Sequence, residues 1–438
     1  MAELAPQSRS QLEALLALLG AGDLGGLARR AVSRFGPVPL PATLAPKQRP
    51  GSIRATKSNR TKPLIWMMGP GLSLDGAPLS QFELATGLAA EGFAIETVVA
   101  QDGPLRQRYA ESSVGVSVCP ELACASSVPA WYENDVQRLV DLLRRQNPDL
   151  VIASTIDSFP AIDAARMAGI PSIWNIRESE PWRSRLADRH TAIAARALAC
   201  FGYPSAMVFV ARASQDAWAK FAPSDRSKLI YNAPHPSLLS TATNRGALRA
   251  RAGAGPDEKL IVSIGTLCER KGQIDLAEAV GLLPADIVSR VKLVFVGRPE
   301  SAYRARTEAA LPAAVRARTQ FTGAVPEAMA YVQAADVLVN SSRSEAFPRT
   351  LLEAAAARTP IIATAIDGAA ERLTDRKSAL LYAPGDTAAL AAAIVSVLSK
   401  PGLAETLQQG AWDTLVSRHS YQAMIGAYSG LVRAALAG

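Results

Sequence analysis

From Pro63 onward the chain alternates short apolar runs with longer helix-forming stretches, and glycine, proline or polar turns separate them. Leu64–Met68 reads as a buried strand, followed by the turn Gly69-Pro70-Gly71, a helix over 78–91 and a second strand, Ile95–Ala100. Strand, glycine-rich turn, helix and strand open a doubly wound parallel sheet, whose buried strands are continuous apolar runs. The same alternation predicts a helix over 131–146, a strand at 150–153, a helix over 159–168 and a strand at 172–175. Val208–Val210, a helix near 214–220 and Lys228–Asn232 close a first domain over 63–235.

Two prolines in Tyr231-Asn232-Ala233-Pro234-His235-Pro236 suit a stiff crossover. The pattern then restarts at Leu260–Ile264 and repeats through strands at 292–297, 336–340 and 360–364, giving a second domain over 236–410. Helices at 387–399 and 404–436 end the chain. The predicted fold class is α/β, with two doubly wound domains.

Composition changes this picture only at the start. Residues 1–60 hold nine Lys/Arg against three Asp/Glu, so most of the formal +8 lies there. Together with the Pro-rich linker 36–62, they predict a flexible basic extension over 1–62, a tether for an anionic membrane surface. The remaining body is nearly neutral, which argues against nucleic-acid binding. No apolar stretch reaches the roughly 18 residues that span a bilayer. Cys119, Cys124, Cys200 and Cys268 lack metal-site or disulfide-framework spacing, which points to buried thiols in a reducing cytoplasm.

The densest chemistry follows the 336–340 strand, in Ser341-Ser342-Arg343-Ser344-Glu345-Ala346-Phe347-Pro348-Arg349-Thr350-Leu351-Leu352-Glu353-Ala354-Ala355. A helix starting at Pro348 and running to 358 would point the N–H groups of Arg349, Thr350 and Leu351 outward at the positive end of its dipole. That is an anion site, suited to phosphate. Glu345 before the helix and Glu353 inside it accept hydroxyl bonds. A diphosphate ligand that also carries sugar hydroxyls would use every part, and a nucleotide sugar is such a ligand.

This segment resembles the E-x7-E signature of the retaining glycosyltransferases of family 4, the glycosyl transferases group 1, which have the GT-B fold; the resemblance implies two doubly wound domains facing across a cleft, with the C-terminal helix, residues 411–438, crossing back onto the first domain. Gly265-Thr266-Leu267-Cys268-Glu269-Arg270-Lys271-Gly272 resembles the family's Gly-Arg-x-x-x-x-Lys-Gly loop, whose cations neutralise the donor diphosphate. Lys271 matches; Thr266 stands at the arginine position, with Arg270 as the neighbouring cation. Gly76-Ala77 resembles the first loop, though Asp75 stands where a second glycine is frequent. Asp367-Gly368-Ala369-Ala370-Glu371 resembles a Gly-Gly-x-x-Glu turn with its first glycine replaced. The family places the nucleotide base near Gly323. A histidine that contacts the donor sugar in many members has no counterpart, since His190, His235 and His419 all lie elsewhere; Arg177 or Glu178 would take the polar role, or would pair with each other.

The resemblance implies Glu345, Lys271 and Arg177 as catalytic groups. It implies donor contacts from Gly76, Thr266, Arg270, Gly323, Phe347, Arg349, Thr350, Leu351 and Glu353. The partners implied are a nucleotide sugar and a glycan or lipid-linked acceptor. No cofactor is implied, and the sequence has no Asp-x-Asp pair, so a metal is not expected. A nucleotide-sugar epimerase of the same fold, or a binding protein without turnover, would use similar donor contacts.

Overall fold

The computed structural model describes residues 60–124, 128–239 and 244–438. The basic extension, with its tether, lies outside the described residues except for Arg60, Thr61 and Lys62. Arg60 bonds the carbonyls of Gln146 and Asn147 at 2.9 and 2.8 Å, where the Pro129–Gln146 helix ends.

Among the described residues two parallel sheets form. The first contains β1 (Leu64–Gly71), β2 (Ala94–Gln101), β3 (Gly115–Val118), β4 (Leu150–Ser154), β5 (Ser172–Ile176), β6 (Ala206–Phe209) and β7 (Ser227–Leu229), in the order β3-β2-β1-β4-β5-β6-β7. The second contains β8 (Lys259–Ile264), β9 (Val291–Val296), β10 (Thr319–Phe321), β11 (Val337–Asn340), β12 (Ile361–Thr364) and β13 (Leu380–Tyr382), in the order β10-β9-β8-β11-β12-β13. Both orders run outward from one central pair, so each sheet has a switch point: β1/β4 in the first, β8/β11 in the second. Loops at the carboxyl ends of such a pair diverge to opposite faces and leave a crevice for ligand.

The central strands are apolar because helices cover both faces of each sheet. Ile65, Met67, Ile152 and Val151 are fully buried in the first, as are Ile261, Leu293 and Val337 in the second. Register follows: Ile65 pairs with Ile95 and Leu150, and Leu338 with Val262 and Ile361. β3 and β13 escaped the sequence reading because strands of four and three residues carry little periodicity.

The expected terminal helix 404–436 is two helices, Leu403–Arg418 and Tyr421–Ala437, broken at His419 and Ser420. Leu403–Arg418 packs on the second domain through buried Ala411 and Leu415, and Tyr421–Ala437 on the first through Met424, Ile425, Tyr428 and Val432. The chain therefore recrosses at His419–Ser420, and residues 411–418 stay with the second domain. Between β9 and β10 the helix-forming stretch breaks at Leu311-Pro312, into Ser301–Ala310 and Ala313–Arg316, because Pro312 has no N–H to continue it. No single helix among the described residues is long and apolar enough to cross a membrane. All four cysteines are free thiols; Cys119, Cys124 and Cys200 are buried and Cys268 partly so.

Candidate nucleotide-sugar site

The second switch point brings the two richest motifs together. The β8 loop carries Arg270 and Lys271 in a short 3₁₀ turn, and the β11 loop carries Glu345. Gly272 ends that turn in the left-handed region at φ 62°, and a Cβ there would meet the Ser341 carbonyl oxygen at 2.3 Å. Only glycine lets the two loops close this far. Lys271 Nζ then bonds the Glu345 carboxylate directly, and Arg270 Nη1 reaches the same Oε2 at 3.0 Å. Burial alone would raise the Glu345 carboxyl; Lys271 and Arg270 outweigh it and hold the group below its ordinary value.

The helix after Glu345 runs Arg349–Ala356, with Pro348 as its N-cap rather than its first residue. Its first turn differs from expectation at one donor: the Leu351 N–H bonds the Pro348 carbonyl at 3.2 Å. Among the described residues no acceptor meets the N–H of Arg349 or Thr350, so the helix start offers two donors. The Thr350 hydroxyl accepts from Asn340 Nδ2 at 3.4 Å, and the Leu351 side chain is in the core.

Arg349 is more than a backbone donor. Its Nε bonds Glu353 at 2.7 Å, and its Nη1 and Nη2 each meet a Glu83 oxygen at 2.5 Å. Glu83 lies on the Gly76–Ala90 helix of the first domain, so this guanidinium bridges the cleft. Burial would lower its pKa, but the two carboxylates raise it instead. Gly76 opens the same first-domain helix, and a Cβ on it would stand 3.9 Å from Arg349 Cβ. Thr266 donates its hydroxyl to Asp75 at 3.5 Å, which joins the two glycine loops across the cleft. Gly323 lies past β10 and accepts the Gly297 N–H at 2.9 Å, two strands from the Lys271 loop.

Arg177 and Phe347 border this centre through other contacts. Arg177 reaches Asn232 Oδ1 at 3.4 Å and lines a small cavity with Glu83 and Tyr428. It forms no ion pair with Glu178, whose carboxylate instead accepts the N–H of Ile156 and of Arg177 at 2.9 and 3.0 Å. Burial pushes that carboxyl up to about 7 despite Arg185. Phe347 is buried at the hinge, with ring centroids 6.2 Å from Tyr231 and 5.9 Å from His419.

The roles of four residues escaped the sequence reading. The Arg372 guanidinium lies 3.3 Å over the Phe347 ring, and its Nη atoms meet no partner among the described residues. Burial lowers its pKa to about 9 against the pull of Glu371 and Glu345. His419 Nδ1 lies 3.0 Å from the Asn232 carbonyl, and burial with Arg372 nearby lowers its pKa to about 4. Asp367 sits at φ 39°, where aspartate is tolerated better than most residues, and its Oδ2 accepts the Glu345 N–H at 3.1 Å and the Ser179 hydroxyl at 2.9 Å. Glu83 is buried on a helix whose buried residues also include Ser80 and Gln81, so no break in the apolar pattern marked it.

Comparison with known proteins agrees with this geometry. Residues 76–232 match the glycosyl transferase 4-like domain, and residues 244–412 match glycosyl transferases group 1. A lipopolysaccharide core biosynthesis glycosyltransferase, LpsE of Rhizobium meliloti, is 30% identical over 195 residues, covering 44% of this chain and 56% of its own. The Bacillus subtilis putative teichuronic acid biosynthesis glycosyltransferase TuaC is 28% identical over 214 residues, covering 48% of this chain and 51% of its own. The chain thus spans about half the length of the curated relatives it matches. Anabaena Alr3699/HepE, solved in complex with UDP and glucose, superposes with a TM-score of 0.73 at 18% identity over 85% of this chain and 99% of that one. WaaG, involved in lipopolysaccharide biosynthesis, superposes with a TM-score of 0.68 at 17% identity over 84% of this chain and 99% of that one. Both likenesses are of fold, and the shared fold is GT-B.

Proposed function

The chain belongs to the group 1 glycosyl transferases of GT-B fold, and on that premise we propose that it moves a sugar from a nucleotide-diphosphate donor to an acceptor hydroxyl, with retained anomeric configuration and without a metal. The observation that carries this reading is the meeting of Lys271, Arg270, Glu345 and the Arg349 helix start at one switch point.

Each group has a physical task. The N–H groups of Arg349 and Thr350, at the positive helix end, hold a donor phosphate. Lys271 and Arg270 face the negative charge that grows on the diphosphate as it leaves, and stabilising such charge supplies much of the rate enhancement in many enzymes. Glu345, kept ionised by those cations, accepts hydroxyl bonds from the transferred sugar. Glu353, oriented by Arg349, accepts from the ribose. The bond between the anomeric carbon and the phosphate oxygen breaks, the bond to the acceptor oxygen forms on the same face, and the acceptor proton passes to the departing diphosphate.

HepE was solved with UDP-glucose, so UDP-sugars are the first donors to try. The relatives named for lipopolysaccharide and teichuronic acid synthesis favour a glycan or lipid-linked acceptor, with residues 1–62 as a basic tether at an anionic membrane surface. The test is turnover of UDP-, GDP- and ADP-sugars over an acceptor panel, with and without EDTA, and NMR of the product anomer. Transfer with retention in EDTA supports the reading. An inverted product, or loss of activity with EDTA, counts against it, and isomerised donor without acceptor would point to an epimerase. The tether is tested separately: salt-sensitive sedimentation with phosphatidylserine vesicles should be lost when residues 1–59 are removed.

A further inference from the structure

Lys271 and Glu345 meet because two loops from different strands keep a fixed spacing, and a second charged pair helps to fix it. The Arg343 N–H donates to the Arg270 carbonyl at 2.8 Å, and the Ser341 hydroxyl donates to the Lys271 carbonyl at 3.1 Å. A third link is ionic: Arg343 Nη2 donates to Asp275 Oδ1 at 2.6 Å. Asp275 stands in the first turn of the Gln273–Val280 helix, which follows the Lys271 turn after Gly272. Arg343 thus grips the cation-bearing segment on both sides of Lys271, at 270 through its backbone and at 275 through its guanidinium.

Asp275 is 4% exposed at its side chain and Arg343 38%. Arg343 is the one cation paired with that carboxylate among the described residues, and the Gly385 N–H, past β13, faces it as well. Taking away one partner of such a pair leaves a buried carboxylate uncompensated, so the β11 loop is held where Arg343 can reach it. Among the described residues the Arg343 side chain bonds neither the Lys271 ammonium nor the Glu345 carboxylate. It lies two residues before Glu345 and acts on that group through the loop. Holding a diphosphate at the Arg349 helix start needs no such pair; keeping the Lys271 ammonium on the Glu345 carboxylate does.

We infer that Arg343 and Asp275 are positioning residues that set the Lys271 ammonium against the Glu345 carboxylate. The inference rests on the glycosyltransferase reading for what those two groups receive, but the setting of the loops does not depend on that reading. Without the pair, the β8 loop shifts against the β11 loop and Lys271 leaves Glu345. The departing diphosphate then loses its nearest cation, and Glu345 loses the charge that offsets its burial, so its carboxyl titrates higher. The other charges about Glu345 are Arg270 on the β8 loop and, after β12, Arg372 and Asp367; from the first domain Glu180 faces Arg270. All of these stay in place in the variants below.

The experiment uses the full chain and the variants Asp275→Asn, Arg343→Met, Arg343→Lys and Asp275→Asn with Arg343→Met. Brief acetylation by an N-hydroxysuccinimide ester, read by peptide mass spectrometry, reports how far Lys271 is held by Glu345, with exposed Lys377 as the internal standard. Steady-state kinetics over pH, with the donor found by the screen, reads alignment. Asp275→Asn and Arg343→Met are expected to raise Lys271 labelling severalfold over Lys377 and to lower kcat by about tenfold or more, with the donor KM changed much less. The acid limb of kcat should move to higher pH in both, because Glu345 must be ionised to act. Arg343→Lys, which keeps the charge, should recover much of the loss. The double variant should be no slower than the worse single one, because the two side chains act as one link. Should Asp275→Asn not fold, Arg343→Met, at the more exposed partner, carries the test. Wild-type Lys271 labelling with an unmoved acid limb overturns the inference even if the melting temperature falls, since the pair would then only stabilise the fold; independent, multiplicative losses in the double variant overturn it too. If the wild-type protein transfers no sugar, the proposed activity falls while the labelling still decides the positioning.

Discussion

Lys271 sets how much of its own charge Glu345 must carry unaided. Arg270 reaches the carboxylate at 3.0 Å but is 44% exposed at its side chain, whereas Lys271 is 14% exposed and bonded to the same oxygen. Water screens the exposed pair more than the buried one. Lys271→Met should therefore lower kcat by about 10²-fold or more while Arg270→Met costs less; steady-state kinetics on both variants checks the order. The Glu345 carboxyl is held below its ordinary 4.5, so the stability it adds is present above that pH and is lost as pH falls through the lower folded value. Lys271→Met should shrink that acid-side loss in urea titrations. Gly368 gives a second test. A Cβ there would lie 1.9 Å from the Ala346 carbonyl oxygen, inside the Glu345 loop. Gly368→Ala should destabilise by roughly 1–3 kcal/mol and cut kcat by displacing that loop, read by urea unfolding and by kinetics. Glu345, Lys271 and Gly368 were all legible, because motif spacing places them. Asp367 and Arg372 were not, because their roles depend on Ser179 and Phe347, which no local pattern connects to them.

Elements explain what the motifs alone left open. The Arg349–Ala356 helix was readable from Pro348 and its apolar face, but its first turn tightens onto the Pro348 carbonyl and leaves two outward donors instead of three. A site built on those donors should prefer phosphate, so a nucleoside diphosphate should raise the melting temperature well beyond the parent nucleoside at equal concentration. Equal shifts in a thermal-shift assay would speak against the helix start as the phosphate site. The break at His419 and Ser420 falls inside the single helix expected over 404–436. Burial of the imidazole beside Arg372 has a measurable sign. The folded group holds at about 4 against an ordinary 6.5, so between those values only the unfolded chain takes the proton. Stability therefore falls as pH drops from 6.5 towards 4, by on the order of 3 kcal/mol from this residue. Glu178 opposes it: its folded carboxyl titrates at about 7 against an ordinary 4.5, so its contribution falls as pH rises across that span. The two nearly cancel between 4.5 and 6.5. His419→Gln should unmask a rise in stability on acidification there, and Glu178→Gln a fall; identical slopes in urea unfolding at both ends of the window would refute the assignment.

On the scale of the whole molecule, most of the architecture was written in the alternation of apolar runs and helix-forming stretches. Buried parallel strands are uniformly apolar, and each central strand, from Leu64 to Ile361, announced itself in that way. The pairing of the two sheets across a cleft was legible only through the resemblance, because inter-domain bonds such as Glu83–Arg349 join residues far apart in sequence. Tyr421–Ala437 clasps the first domain: Tyr421 bonds the Glu83 carbonyl at 2.7 Å and Tyr428 bonds Asn175 at 2.8 Å. Removing residues 421–438 should expose Leu84 and Leu88, which pack beside Met424 and Ile425, and produce an aggregating protein by light scattering.

The backbone thus passes between the lobes twice, once after Ile230 and again at His419, and the Asn232 carbonyl stitches the two passages side by side at 3.0 Å. A gate hung from one pin can wobble about any direction; hung from two adjacent pins it swings about the line through both. Two adjacent passages favour rotation of the lobes about the line through both, and the Thr266–Asp75 bond at 3.5 Å is one that such a rotation would break.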